Sequence, residues 1–181
     1  MSRTIRLLPP SVSRTDAYLE CVADFAGASM DGSGIVDPRE APVTGAAVAE
    51  LVAARLAEED PATVLAQGWV HCTSRWIVDA GTDEMLGFIA TRHRLTPYLL
   101  EQGGHIGYSV RPSARRQGVA FAALELALAD AEELGIDPVL ITCDEDNHGS
   151  RRTIEKAGGR LEDIREGKRR YWIGDGRRQQ A

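Results

Sequence analysis

The hexapeptide Arg115–Arg116–Gln117–Gly118–Val119–Ala120 is the stretch of this sequence best suited to chemistry. A turn that enters a helix aims several unpaired backbone N–H groups at one point, where the helix dipole adds partial positive charge. Gly118 carries no side chain and Ala120 almost none, so a phosphate can approach the backbone. Arg111, Arg115 and Arg116 add full charges suited to a pyrophosphate. Other motifs fail. There is no P-loop signature, and Gly107–Tyr108–Ser109–Val110–Arg111 lacks the second glycine of a nucleophile elbow. His71, His93, His105 and His148 have no metal-ligand spacing, so no metal is expected. Cys21, Cys72 and Cys143 are far apart and read as reduced, mostly buried thiols.

The elements around the hexapeptide must bring it to a strand end. His105 to Val110 reads as a strand stopped at Pro112, and Gln117 to Gly135 as a helix with Ala120, Leu124, Ala127, Leu128, Ala131 and Leu134 on one face. Pro138 to Cys143 is continuously apolar, as for the interior of a parallel pairing. Strand, helix, strand is a βαβ unit with an expected right-handed crossover. Upstream, the expectation is a strand over Thr4–Leu8, a helix ending near Ala26 and another from Thr44 to Glu59, then a hairpin of Arg75–Asp79 and Met85–Thr91. Residues 27–42, rich in Gly, Asp, Ser and Pro, read as a mobile surface loop, and 96–102 as irregular or briefly helical. A helix from Asn147 or Ser150 to Gly158–Gly159 and two strands, near 160–164 and 169–173, close the chain.

Composition bounds the class. The 181 residues, 43% of them hydrophobic, suit one domain spanning 1–181 with a sizeable core. The net charge of −6 argues against nucleic acid as main partner, and no stretch approaches the ~18 apolar residues of a membrane span. The N-terminus lacks the apolar core of a signal peptide, so a cytoplasmic location is expected. Charge is uneven: residues 1–104 hold 8 Lys/Arg and 14 Asp/Glu, and residues 105–181 hold 13 of each. The second part suits a small polyanionic ligand.

Arg115-x-x-Gly118-x-Ala120 resembles the Arg/Gln-x-x-Gly-x-Gly/Ala signature of the GNAT N-acetyltransferase superfamily. Asn147-x-x-Ser150-x-x-x-x-Glu155-Lys156-x-Gly158 resembles the second acyl-CoA motif of that family, and the two motifs agree in spacing and intervening elements. The stretch from Arg92 to Trp172 is also similar to a subgroup of bacterial acetyltransferases. The resemblance implies an α/β fold: a mixed, mostly antiparallel sheet flanked by helices, whose fourth and fifth strands splay apart. It implies acetyl-CoA as co-substrate, and a small-molecule or peptide amine as acceptor in a direct ternary complex. Homodimers are common in the family, but no surface stripe in this sequence specifies one.

By the same resemblance, backbone N–H groups of Gln117, Gly118, Val119 and Ala120 bind pyrophosphate with help from Arg115 and Arg116, and Tyr108, Ser109 and Val110 pair with the pantetheine arm through their main chain. Asn147 matches a cofactor-contacting amide, though Asn also caps helices, and Ser150 lies in the same motif. His105 stands where many relatives carry a glutamate base, and imidazole, with a pKa near ~6.5, suits proton uptake. Glu101, Asp144 and Glu145 are reserves. The tyrosine that protonates the leaving thiolate in many relatives is replaced by Ile154, with Tyr98 and Tyr171 as possible substitutes. Cys143 raises a covalent route, although a buried structural thiol explains it as well. The competing class is a non-catalytic acyl-CoA-binding or sensing module.

Overall fold

The computed structural model describes residues 3–174. Strands β1 (Ile5–Leu8), β2 (Cys72–Asp79), β3 (Met85–Arg92) and β4 (Ile106–Val110) form one antiparallel sheet in that order. Strands β5 (Val139–Asp144), β6 (Arg160–Arg165) and β7 (Lys168–Ile173) form a second, in the order β5-β7-β6. Helices α1 (Thr15–Phe25) and α2 (Gly45–Glu59) precede β2; α3 (Val119–Glu133) links the sheets, and α4 (His148–Lys156) follows β5.

Two apolar layers sandwich the first sheet. Tyr18, Phe25, Val48 and Val52 from α1 and α2 pack on Trp76, Val78, Met85 and Phe88. On the other face Ile77, Leu86, Ile89 and Ile106 pack with Ala123, Leu124 and Ala127 of α3, in a core that continues into Val139, Ile141, Ile154 and Tyr171 of the second half. A bulge assigns these faces. Ile77 pairs with Gly87 but Val78 pairs with Met85, so β3 carries one extra residue there. Leu86 and Ile89 can therefore both face α3, while Met85 and Phe88 face α1 and α2.

The expected interior parallel pairing of β5 is corrected here. Among the described residues its ladder is with β7 alone, and its hydrogen bonds toward β4 run to His105, the residue just before that strand. The His105 N–H donates to Leu140 O at 2.7 Å, and the Leu140 N–H donates to His105 Nδ1 at 2.9 Å. Gly104 makes that approach possible: at φ +63 it adopts a left-handed conformation, and a Cβ there would lie 2.7 Å from Leu140 O. Beyond this junction the two strands diverge and open a cleft.

Residues 27–42 also differ from expectation. Met30 and Ser33 are buried, and Gly32 sits so tightly on the sheet that a Cβ would lie 2.3 Å from Gly107 O. The loop is pinned at its centre by an apolar side chain and a glycine contact, signals that its polar composition conceals. Residues 99–103 form one π-helical turn, held to the second sheet by Arg170 Nε donating to Leu100 O at 2.9 Å.

Candidate active site

The cleft between the splayed strands has a volume of about 1180 Å³. It is lined by Ile106–Val110 of β4, the turn into α3, the end of β5, the start of α4, and the segments around Ser29 and Tyr98. Five cationic side chains (Arg92, Arg115, Arg116, Arg152 and Lys168) face it against two carboxylates, Asp31 and Asp144. In a chain of net charge −6 this is a local reversal, suited to a polyanion.

The turn into α3 is compact because two of its residues are left-handed, Arg116 at φ 60 and Gly118 at φ 81. Gly118 is the N-cap and supplies no capping side chain, so the first N–H groups of α3 remain available at the positive end of the helix dipole. The helix thus starts at Val119, two residues later than the sequence pattern suggests. Among the described residues nothing crowds the place a Cβ on Gly118 would take, within 4 Å, so the approach to the backbone is open. Arg115 Nε donates to Val110 O at 2.9 Å and ties the turn to the end of β4, while its Nη groups are left for the cleft. Gln117 lies outside the cleft lining, its amide donating to Ser113 O at 3.0 Å. Arg111 is not where the charge count places it. It is paired with Asp24 at 2.7 Å and Glu84 at 3.3 Å, and it ties α1 to the sheet.

At the start of α4, Asn147 accepts the Ser150 N–H at 3.0 Å through Oδ1, so it caps the helix while lining the cleft. Ser150 Oγ lies 2.8 Å from the Tyr108 hydroxyl, a bond that crosses from β4 to α4. Burial pushes the Tyr108 phenol up to about 12, so it keeps its proton throughout the neutral range. Ser109 also lines the cleft, and its Oγ is buried with no hydrogen-bond partner among the described residues. Cys143 is 6% exposed, and burial raises its thiol, which opposes thiolate formation and a covalent route.

His105 does not reach this cleft. It is 7% exposed and lines a separate pocket of about 400 Å³ with His93, Pro138 and Trp172. Its Nδ1 accepts the Leu140 N–H, which makes the ring neutral with its proton on Nε2. Burial, with Arg92 nearby, lowers its pKa to about 4. The position that suggested a base is thus occupied by the pin between the two sheets.

The reserve candidates are mostly engaged. Glu101 pairs with Arg165, Asp144 with Lys168 and Glu145 with Arg169. Ile154 is wholly buried in the core, and the Tyr171 hydroxyl donates to Glu155 at 3.2 Å, away from the cleft. Tyr98 lines the cleft but is 70% exposed. Sequence reasoning missed Asp31 and Arg92, which come from separate segments and share no motif; the Gly and Ser residues flanking Asp31 mark a tight loop but no ligand. Among the described residues no cluster of His, Cys, Asp and Glu could hold a metal ion, and no helix is long and apolar enough to cross a membrane.

Comparison with known proteins places this architecture. Among solved structures, the ribosomal L7/L12 alpha-N-protein acetyltransferase in complex with coenzyme A superposes with a TM-score of 0.67 at 17% identity, over 95% of this chain and 94% of that one. The microcin C7 self-immunity acetyltransferase in complex with acetyl-CoA and AMP gives a TM-score of 0.66 at 15% identity, over 94% and 92%. A GNAT-family acetyltransferase from Bacillus anthracis gives 0.61 at 17%, over 96% of each chain. At these identities the likeness establishes the fold. No curated protein sequence matches. The family defined as the acetyltransferase (GNAT) domain matches residues 9–160, most of the chain including both motif segments, and the chain belongs to that family of N-acetyltransferases.

Proposed function

We propose that this chain moves the acetyl group of acetyl-CoA directly to a small-molecule or peptide amine while both are bound in the cleft. The observation that carries the reading is the splayed pair of strands with the uncapped N-terminus of α3 at one end. N–H groups of Gly118, Val119 and Ala120, with Arg115 and Arg116, would hold the pyrophosphate, and the free main chain of Tyr108–Val110 on the cleft side would pair with the pantetheine arm. Gln117 would contribute through its backbone only. The Asn147 Oδ1 is spent on the cap, leaving its amide nitrogen as the group to reach a ligand.

Acetyl-CoA supplies the activated thioester. The chain must then take a proton from the acceptor ammonium and return one to the departing sulfur. For the first task we assign Asp31, a cleft carboxylate that no cation pairs among the described residues; its Oδ1 accepts only from Ser29 Oγ at 3.2 Å. It would act through water. For the second we assign the Tyr108 hydroxyl, protonated near neutrality and hydrogen-bonded to Ser150, in place of the tyrosine that Ile154 replaces. His105 is assigned to positioning, because its Nδ1 is already committed to Leu140.

The test is CoA release from acetyl-CoA by the purified protein across a broad amine panel, small amines and peptide N-termini alike. Turnover with at least one amine supports transfer. A second reading, an acyl-CoA sensor, is favoured by the burial of Ile154 and His105. It requires a thermal shift with acetyl-CoA and no turnover with any amine.

A further inference from the structure

Arg92, the last residue of β3, sits at the end of the cleft opposite the α3 turn, and its environment sets it apart from the other arginines. Every other buried or half-buried arginine among the described residues, from Arg3 to Arg170, is paired with a carboxylate. Arg92 is half-buried and has none among these residues. Its Nη1 donates to two carbonyls, Gly103 O at 2.9 Å and Gly104 O at 3.1 Å, and its remaining N–H groups are left to the cleft. A guanidinium offers five donors, and holding one away from water without a counter-charge is costly. Gly107 leaves it uncovered, because a Cβ there would stand 3.6 Å from both Nη1 and Nη2. The same point lies 3.5 Å from the Gly32 N, so the loop carrying Asp31 is adjacent.

We propose that Arg92 makes this enzyme selective for amines that carry an oxyanion, a carboxylate or phosphoryl group, within a few bonds of the reacting nitrogen. This rests on the transferase reading above. A planar guanidinium binds either oxyanion through two parallel N–H bonds and so fixes the molecule's orientation, which an ammonium could not do as well. With the oxyanion on Arg92, the amine is directed toward the Asp31 side of the cleft, where its proton can be removed. An acceptor that is a bare cation would meet an uncompensated positive charge at this end.

The experiment compares matched acceptors in CoA release: serine against ethanolamine, leucine against isoamylamine, O-phosphoethanolamine against ethanolamine, and peptides with glutamate against glutamine at the second position. Wild type should favour the oxyanion-bearing member of at least one pair by tenfold or more in kcat/KM, mainly through KM. Which pair responds distinguishes α-carboxylate, phosphoryl and side-chain sources. Arg92→Gln should collapse that ratio toward one. Arg92→Lys, which keeps the charge but loses the fork, should lower it several-fold, and it serves alone if Arg92→Gln does not fold, as judged by its melting transition. A purely structural arginine predicts that both members of a pair lose activity in parallel and the ratio survives, which overturns the proposal. Brisk wild-type turnover with no preference in any pair also overturns it while leaving the transferase reading intact. No CoA release with any amine instead defeats the transferase reading and this inference together.

Discussion

The two ends of the cleft are built by opposite strategies. The α3 end is a short contiguous run in which backbone does the work: a left-handed arginine, a left-handed glycine and the first N–H groups of one helix. The Asp31–Arg92 end is assembled from the loop after α1, the last residue of β3, the π-helical turn and Gly107 of β4. In its proposed role as a phosphate cradle, the first depends on local conformation. In its proposed role of receiving the acceptor, the second depends on which distant segments meet. The first can therefore be shared across a family, whereas the second can be changed one loop at a time.

The largest effect should come from spoiling the contiguous end. Gly118→Val places a β-branched residue at φ 81, costs about 1–2 kcal/mol of stability, and puts a side chain into the phosphate approach. Acetyl-CoA at 100 times its Kd should stabilise wild type by about 2.7 kcal/mol and the variant not at all, read as a thermal shift. An undiminished shift in folded Gly118→Val would remove the cradle from this turn.

The junction between the sheets is the next test, because it separates scaffold from chemistry. The folded pKa of His105, about 4, lies below its unfolded value near 6.5. Its contribution to stability is therefore complete above pH ~6.5 and is lost as pH falls toward 4, on the order of 3 kcal/mol in all. His105→Gln should flatten that part of the stability–pH curve in chemical denaturation. It should also lower stability at neutral pH by about 1–3 kcal/mol, since the Leu140 N–H loses its ring acceptor. Turnover per folded molecule should keep its pH dependence. A rate limb near pH 6.5 that vanishes in this variant would restore His105 as the base.

Within the cleft, Tyr108→Phe should reduce kcat by about 10²-fold, with a smaller change in KM for acetyl-CoA, if its hydroxyl returns the proton. Single-turnover kinetics would check that chemistry has become limiting, and a wild-type rate would leave water as the proton donor. Asp31→Asn, at the noncontiguous end, should cost about tenfold in kcat/KM, read as CoA release under steady-state conditions. A variant with the full rate would move the base elsewhere.

The α3 helix, the hairpin of β2 and β3, and the glycine turn into α3 were all legible in the sequence, because each depends on residues close together in the chain. Apolar spacing marks α3, Gly81 and Asp83 mark the hairpin, and Gly118 marks the turn. Several other features were not legible, for matching reasons. Residues 27–42 looked unanchored because Met30 and Gly32 act through distant partners, and Arg111 looked like a phosphate ligand because Asp24 and Glu84 are remote in sequence.

His105 shows the division most sharply. Its residue type and its position at the start of β4 followed from the chain alone, and so did the chemistry an imidazole can perform. That the ring is neutral, buried and already bonded to the Leu140 N–H was decided by the tertiary structure, which brings β5 against that strand end without a shared ladder. Local sequence sets conformational preference and donor inventory. Which donors meet, and how far burial moves a proton, depends on contacts between segments that only the folded chain brings together.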